Sequence, residues 1–335
     1  MMRDTTRWSS LGFRVPRGFA AIAIATALVF ALGAVVAPSS VSHSAIIGMV
    51  PFAAVLAIAG LGQLLVVQQG GIDLSVAGGI SLAVVVVTHQ PDGDDARLGA
   101  AVVLAIGLAL GAGLINGLLV SRLRLSSIIA TLGTNALLYG AVFAVSGGTP
   151  RSTTRLLARI AGDLSWGIPR SAFFAVAALA VVSLLTKKTV AGRRFEASGA
   201  NRAAARAVGL RVHLHHTLAF VWAQLLYCLA GVLLAGITNQ PTAFQGDSLL
   251  LPSVAVVVLG GTSLLGGRGF PVSTVIAAVF LRELQQLVLA LGVDTSVQSL
   301  VQAIAFAVGV ALYSIHWSSV RRWLLGRHSS GATCP

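Results

Sequence analysis

Three ionisable side chains stand inside long apolar runs. Asp73 lies in VVQQGGIDLSVAGGISLAVVVV (66–87), and the adjacent pair Arg282 and Glu283 lies in FLRELQQLVLALG (280–292). A charge within an apolar membrane segment is costly and usually functional. The chemistry open to these three is narrow: binding a coupling ion, touching the hydroxyls of a passing solute, or capping a helix. No catalytic set accompanies them. The glycine-rich GGTSLLGGRG (260–269) lacks the Gly-Lys-Ser/Thr ending that a phosphate-binding P-loop requires. His213, His215 and His216 cluster, but no cysteine or acid lies near them in sequence to complete a metal site. Neither a Gly-x-Ser-x-Gly elbow nor a His-Glu-x-x-His pair occurs. The residues therefore predict no enzyme, no cofactor and no bound metal.

The elements that must position these residues follow from composition. Of 335 residues, 56% are hydrophobic and only 10% charged, and the mean hydropathy is +0.88. A water-soluble domain carries about a quarter charged residues. The apolar runs are long enough to cross a bilayer, which takes about 20 residues each. Ten candidate spans are expected, at 19–37, 45–68, 74–88, 98–120, 127–146, 168–186, 217–237, 249–265, 269–291 and 297–315, the third and eighth being short. The expected fold is an all-α, polytopic transmembrane helical bundle with glycine-broken segments. It divides into an N-terminal tail (1–18), a membrane domain (19–315) and a C-terminal tail (316–335).

The net charge of +13 is distributed by topology. With the N-terminus in the cytoplasm, the inner segments hold seventeen Lys and Arg and the outer loops four. That positive-inside bias places both termini in the cytoplasm and argues against a nucleic-acid partner. The first 37 residues, arginines followed by an apolar run, also admit a signal-peptide reading, but the run has nearer the length of an anchor. Two cysteines, Cys228 and Cys334, make no disulfide framework.

The outer loop 147–167 is mixed in polarity and leaves room for a short surface helix. The inner loop 187–216 carries a clearer helix signal. Asn201 is placed to cap, RAAARAV follows as helix former, and Gly209 supplies a stop. A two-turn helix with Arg202 and Arg206 on one face is too short to stand alone in water. It docks either on a partner or on anionic lipid headgroups. Two stretches, 68–79 and 259–271, break the helical pattern with glycine. Non-helical backbone at membrane depth must be buried in protein or line a cavity, as along transport pathways.

Four of these stretches carry a family resemblance. GGIDLSVAGGISLA, INGLLVSRLRLSSIIATLGTNALLYGAVFAVSGG, GRRFEASGANRAAARAVGLRV and LPSVAVVVLGGTSLLGGRG together resemble the membrane permease subunits of bacterial ABC importers for monosaccharides, the branch that includes ribose, xylose, galactose and autoinducer-2 systems. The resemblance runs from about 62 to 270 and continues more weakly to about 312. It implies a cytoplasmic-membrane permease that pairs with a second copy or a related subunit. It also implies two cytoplasmic ATP-binding subunits and an extracytoplasmic solute-binding protein that delivers a sugar. The loop containing Glu196, Gly199, Asn201, Ala204 and Gly209 resembles the family's ATPase-coupling loop, to which Arg202 and Arg206 belong by position. Gly70, Gly71, Asp73, Ser75, Asn116, Thr131 and Asn135 fall within the first two motifs and become pathway candidates.

Three departures bear on function. Arg202 and Ala203 follow Asn201 where the family often has acids, which implies an unusually acidic ATPase groove. Ser126 and Ser127 replace a common Pro-Pro pair. Gln285 and Gln286 occupy the places of an Asn-Asn pair, with Arg282 and Glu283 just before them. At 100° per residue these last four cover an arc of roughly 160° on one helix face. That face either packs in an internal hydrogen-bond network or lines the pathway. Asp73 likewise has two readings, as a cap accepting N–H groups two or three residues on, or as part of the cavity. The scarcity of intramembrane acids disfavours the rival reading, an ion-coupled secondary transporter.

Overall fold

The computed structural model describes residues 17–294 and, beyond them, positions 296, 300–301 and 303–304. Most of the expected tenth span and both tails lie outside the described residues. Chain order begins with α1 (Arg17–Val36), α2 (His43–Gln68), α3 (Val76–His89), α4 (Leu98–Ser121) and α5 (Ser127–Ser146). A short α6 (Arg155–Gly162) and a two-residue antiparallel hairpin, β1 (Leu164–Ser165) with β2 (Ile168–Pro169), precede α7 (Arg170–Ser183). Then come α8 (Val190–Ala200), α9 (Arg202–Ala207), α10 (Val212–Thr238), α11 (Leu250–Leu259) and α12 (Pro271–Ala290).

Among the described residues seven helices are long and apolar enough to cross a membrane: α1, α2, α4, α5, α7 with its π-helical extension through Lys188, α10 and α12. The expected third and eighth spans are short helices, α3 and α11, of 14 and 10 residues. At about 1.5 Å per residue neither reaches the roughly 30 Å of a hydrocarbon core. They survive because they are enclosed: α3 packs against α4, α5 and α10, and α11 against α2 and α12.

Packing is arranged around α2, of which 89% is buried, with α10 next at 61%. By contrast α1 is 11% buried and α7 28%. The outward residues are apolar, among them Leu28, Val103, Leu137, Phe143 and Val176, whereas Gln63, Gln68, Gln69, Asp73, Asn116 and Gln224 are buried. This inverts the soluble pattern, in which polar groups face outward, and it suits a lipid solvent.

In lipid, helices associate through close van der Waals contact rather than a hydrophobic gradient, so small residues mark the seams. The α4–α10 seam is an example. A Cβ on Gly113 would lie 2.6 Å from Val221 Cα, and one on Gly117 2.8 Å from Thr217 Cα. One turn further, Ser121 Oγ meets Thr217 Oγ1 at 2.9 Å. In the 147–167 segment, α6 is capped by Thr154, whose Oγ1 accepts from Leu157 N at 3.2 Å, and it buries Leu157 and Ala161 against α10 at Gly236.

Gly113→Leu is expected to force α4 from α10, costing about 1–3 kcal/mol as an overpacked contact. Gly107→Leu, on the open face of the same helix with nothing within 4 Å, is expected to be neutral. Thermal unfolding and monodisperse yield of the two variants in detergent, side by side, check this. Equal behaviour would mean that the seam is not a packed one.

Candidate functional site

The first glycine break begins where α2 ends at Gln68. Gly70 takes φ +71°, a left-handed conformation that glycine adopts without steric cost. Residues 69–75 then run non-helically to α3. Their donors are met by one face of α5. Ile72 N donates to Ser127 Oγ at 3.1 Å, Leu74 N to Thr131 Oγ1 at 2.9 Å and Gly78 N to Asn135 Oδ1 at 2.8 Å. Positions 127, 131 and 135 repeat every four residues, so they rise along one side of the helix. Ser127, one of the serines standing where a Pro-Pro pair is common, is the first rung.

Asp73 is fully buried. Its Oδ1 accepts from Ser75 N at 2.9 Å and from Ser75 Oγ at 2.5 Å. The Ser75 hydroxyl in turn accepts from Asn116 Nδ2 at 2.8 Å and Gln224 Nε2 at 2.7 Å, which uses its full bonding capacity. On the backbone side, the Gln63 amide, oriented so that Nε2 donates, spans Asp73. It donates to the Asp73 carbonyl at 3.0 Å and to Tyr227 OH at 2.8 Å, and accepts from Asp73 N at 3.1 Å. Asp73 thus accepts from the N–H two residues on, as a cap would. The register differs from that expectation, because the N-cap of α3 is Ser75 and Asp73 lies two residues before it.

The second glycine break meets the first. Gly267 N donates to the Gln68 carbonyl at 2.9 Å, and Gly266 and Gly267 both have positive φ. The loop carrying α8 and α9 closes over the same point. Gly199 packs so tightly on the Gln68 carbonyl that any Cβ there would collide with it. Gln69 Nε2 donates to Phe195 O at 2.9 Å, Ser198 Oγ donates to Gln69 Oε1 at 3.1 Å, and an Arg202 Nη donates to Gln69 O at 2.8 Å. Asn201 caps α9, its Oδ1 accepting from Ala203 N and Ala204 N at 3.0 Å each. Gly209, at φ +79°, ends it. Glu196 pairs with Lys187, and Arg206 is exposed beside Arg202. The helix expected within this loop is present, and α8 ahead of it was not foreseen.

The polar face of α12 turns inward. Arg282 Nη1 donates to Gln285 Oε1 at 2.8 Å, and Gln286 Nε2 donates to Ser40 O, in the turn joining α1 to α2, at 3.1 Å. Glu283 is fully buried and directed at α1, where a Cβ on Gly33 would lie 3.3 Å from its Oε1.

Of the pathway candidates read from the sequence, the structure gathers Asp73, Ser75, Asn116, Thr131 and Asn135 around the first break, with Gly70 and Gly71 opening it, and sets Arg282, Glu283, Gln285 and Gln286 apart on α12. The sequence reading missed Gln63, Gln69, Gln224 and Tyr227, although glutamines inside apolar helices were themselves a signal. It also missed Tyr139 and Phe244, which meet edge to face at 5.3 Å, and Asp247, to which Tyr139 OH donates. No group of His, Cys, Asp and Glu suited to a metal occurs among the described residues.

Residues 45–310 match the family described as branched-chain amino acid transport system / permease component. A probable ABC transporter permease protein, y4mJ of Sinorhizobium fredii, is 35% identical over 288 residues, covering 85% of each chain. The ribose import permease protein RbsC of Bacillus subtilis is 33% identical over 281 residues, 82% of this chain and 86% of that one. The autoinducer 2 import system permease protein LsrC of an Enterobacter species is 35% identical over 237 residues, covering 69% and 67%. No solved structure matches. A helical bundle with seven described helices long and apolar enough to cross a membrane is matched along most of its length by transport permeases: the chain belongs to the branched-chain amino acid transport system / permease component family.

Proposed function

We propose that this chain is the permease subunit of an ATP-binding-cassette importer that carries a small polyol-like solute, a monosaccharide by the kinship with ribose and autoinducer-2 permeases. The 187–216 loop and both termini face the cytoplasm, where two ATP-binding subunits engage α8 and α9. A solute-binding protein docks on the opposite face. A second permease copy or a paralogue completes the pathway. The ion-coupled carrier is set aside, because one relative is named as a probable ABC transporter permease and the others as import permeases.

The observation that carries this reading is the junction at the end of α2. Gln68 and Gln69 are held by the α8–α9 loop on one side and by the 266–267 turn on the other, and they lead directly into the buried Asp73 segment. A shift of the loop on its ATPase therefore reaches both broken segments through a few short hydrogen bonds. Asp73, Ser75, Asn116, Thr131 and Asn135 act as the fixed frame of the pathway, while Tyr139, Phe244 and Asp247 supply aromatic and hydroxyl-binding groups near its mouth. The Arg282 to Gln286 face serves as an internal brace.

Uptake of labelled pentoses and hexoses, in vesicles holding this permease with its ATP-binding subunit and binding protein, tests the function. ATP-dependent accumulation of one sugar is expected. Accumulation driven by an imposed ion gradient without ATP would overturn the assignment.

Two substitutions probe the parts. Asn201→Pro removes the cap of α9, and Gly209→Val places a branched side chain at φ +79°. Each is expected to leave membrane insertion intact while lowering sugar uptake about five- to thirtyfold, from the loss of about 1–2 kcal/mol in a helix only six residues long. ATPase stimulation by the binding protein equal to wild type, together with unchanged uptake, would exclude the coupling role. Thr131→Val keeps shape but strands the Leu74 N–H, and it is expected to cost about 1–3 kcal/mol. The unfolding midpoint in nanodiscs checks this. An unchanged midpoint would mean that water already reaches the segment.

A further inference from the structure

A cavity of about 500 Å³ opens on the α8–α9 side of the bundle, between the α4–α5 turn, α9 and the start of α10, with residues 69–71 as its floor. Its charged lining is of one sign. Arg124, Arg202 and Arg206 border it beside the imidazoles of His213 and His216, and among the described residues no Asp or Glu does. Arg202, Arg206, His213 and His216 come from the 187–216 loop, and folding brings Arg124 of the α4–α5 turn to join them. Arg202 is only partly free to answer an anion, since one Nη is committed to Gln69 O, but Arg124 and Arg206 are exposed at the rim.

Two independent features point the same way. First, α5 starts at this cavity. Its N-cap, Ser126, makes no side-chain bond to the first turn, which leaves N–H groups and the positive end of a 20-residue helix dipole facing the space. Second, His216 is only 4% exposed, lines the cavity, and has an Nε2 without any partner. A buried imidazole nitrogen with nothing to bond to carries an uncompensated desolvation cost, which a ligand bonded there removes. The cations also strain one another. Burial holds the Arg202 guanidinium below its ordinary basicity, and the neighbouring charge of Arg206 pushes in the same direction.

We propose that this cavity is a phosphate-binding site, which takes either the headgroup of an anionic phospholipid from the adjoining leaflet or a free phosphate-bearing solute from the cytoplasm. The phosphate oxygens bond Arg124, Arg206 and the His216 Nε2, in the manner of guanidinium and imidazole anion sites. Because α9 and the α4–α5 turn both border the site, an occupant ties the coupling loop to the membrane bundle. Basic pockets between membrane helices on the cytoplasmic side suit such headgroups. Binding requires neither sugar transport nor an ATPase, so its failure and the failure of the transport assignment are separable.

The test uses the full-length permease alone in nanodiscs. In phosphatidylcholine discs, inorganic phosphate at constant ionic strength, with chloride as control, is one arm. Discs containing phosphatidylglycerol, without added phosphate, are the other. A saturable rise of about 2–4 °C in the unfolding midpoint is expected in at least one arm. In the Arg124→Gln/Arg206→Gln variant the half-saturating concentration of the active probe is expected to rise at least about tenfold, as befits loss of a charge-assisted bond. Arg159→Gln, on the opposite face, is expected to respond like wild type. A response to phosphate identifies a soluble ligand, and a response to phosphatidylglycerol alone identifies a lipid headgroup. If the double variant does not fold, His216→Gln carries the same comparison. No response in either arm, or the same response in the lining variants as in wild type, overturns the proposal. The basic lining would then belong to the contact with an acidic protein surface.

Discussion

Hydrocarbon offers no partner to a free N–H or C=O, and this fold depends on how it meets that constraint where α2 stops short of α3. Each unsatisfied backbone group in lipid costs several kcal/mol, and the 69–78 stretch has several to satisfy. The solution is a side chain for each of three donors, spaced by one helical turn: Ser127 for Ile72, Thr131 for Leu74 and Asn135 for Gly78. With α5 acting as a strip of acceptors, the break becomes a rigid element. Its rigidity explains why Asp73 is tolerated at full burial. The carboxyl sits at the end of a chain of donors, Asn116 and Gln224 to Ser75 and Ser75 to Asp73, all fixed by helices that cannot move apart without exposing the others.

Closure at the other end of the break is different in kind. Around Gln68 and Gln69 the partners are the Gly267 N–H, the Phe195 carbonyl, the Ser198 hydroxyl and the Arg202 guanidinium instead of a graded ladder. Gly199 and Gly266 admit the loop and the 260s turn to within contact of the α2 terminus, where larger residues would hold them off. Gln69 is bonded on its amide nitrogen, its amide oxygen and its backbone carbonyl, all by residues 195–202. Such a residue has little freedom to respond independently, so motion of α8 and α9 and motion of the break are mechanically one event. The break is thus held by side-chain acceptors of α5 at one end and by the bonds of Gln69 to residues 195–202 at the other.

Much of this was legible in the chain before folding. The span boundaries follow from apolar length alone, as α5 at 127–146 and α12 at 271–290 show. The α9 helix follows from Asn201, a run of alanines and Gly209, because capping chemistry is local. What escaped was non-local. Gln63, Gln224 and Tyr227 come from two helices far apart in sequence, and nothing in a run such as VWAQLLY says that its glutamine meets Ser75, 149 positions earlier. Short α3 and α11 were counted among the spans, though noted as short, for a related reason: apolar composition reports exclusion from water, and burial within the bundle excludes water as well as lipid does.

The α12 face shows how the same economy works without a ladder. Arg282 turns one Nη to Gln285 on its own helix and Gln286 its amide to the Ser40 carbonyl, so each finds one partner within a turn of itself or in the α1–α2 connection. Glu283 points instead at Gly33, and the absence of a side chain there lets α1 lie close enough to seal the carboxyl from lipid. A helix only 11% buried thus has a specific task. Removing α1 from this contact would open a carboxyl and an arginine to hydrocarbon, at a cost far larger than the contact area of α1 suggests. The polar residues of α12 therefore help hold an otherwise lipid-exposed helix to the bundle through Glu283 at Gly33 and Gln286 at Ser40.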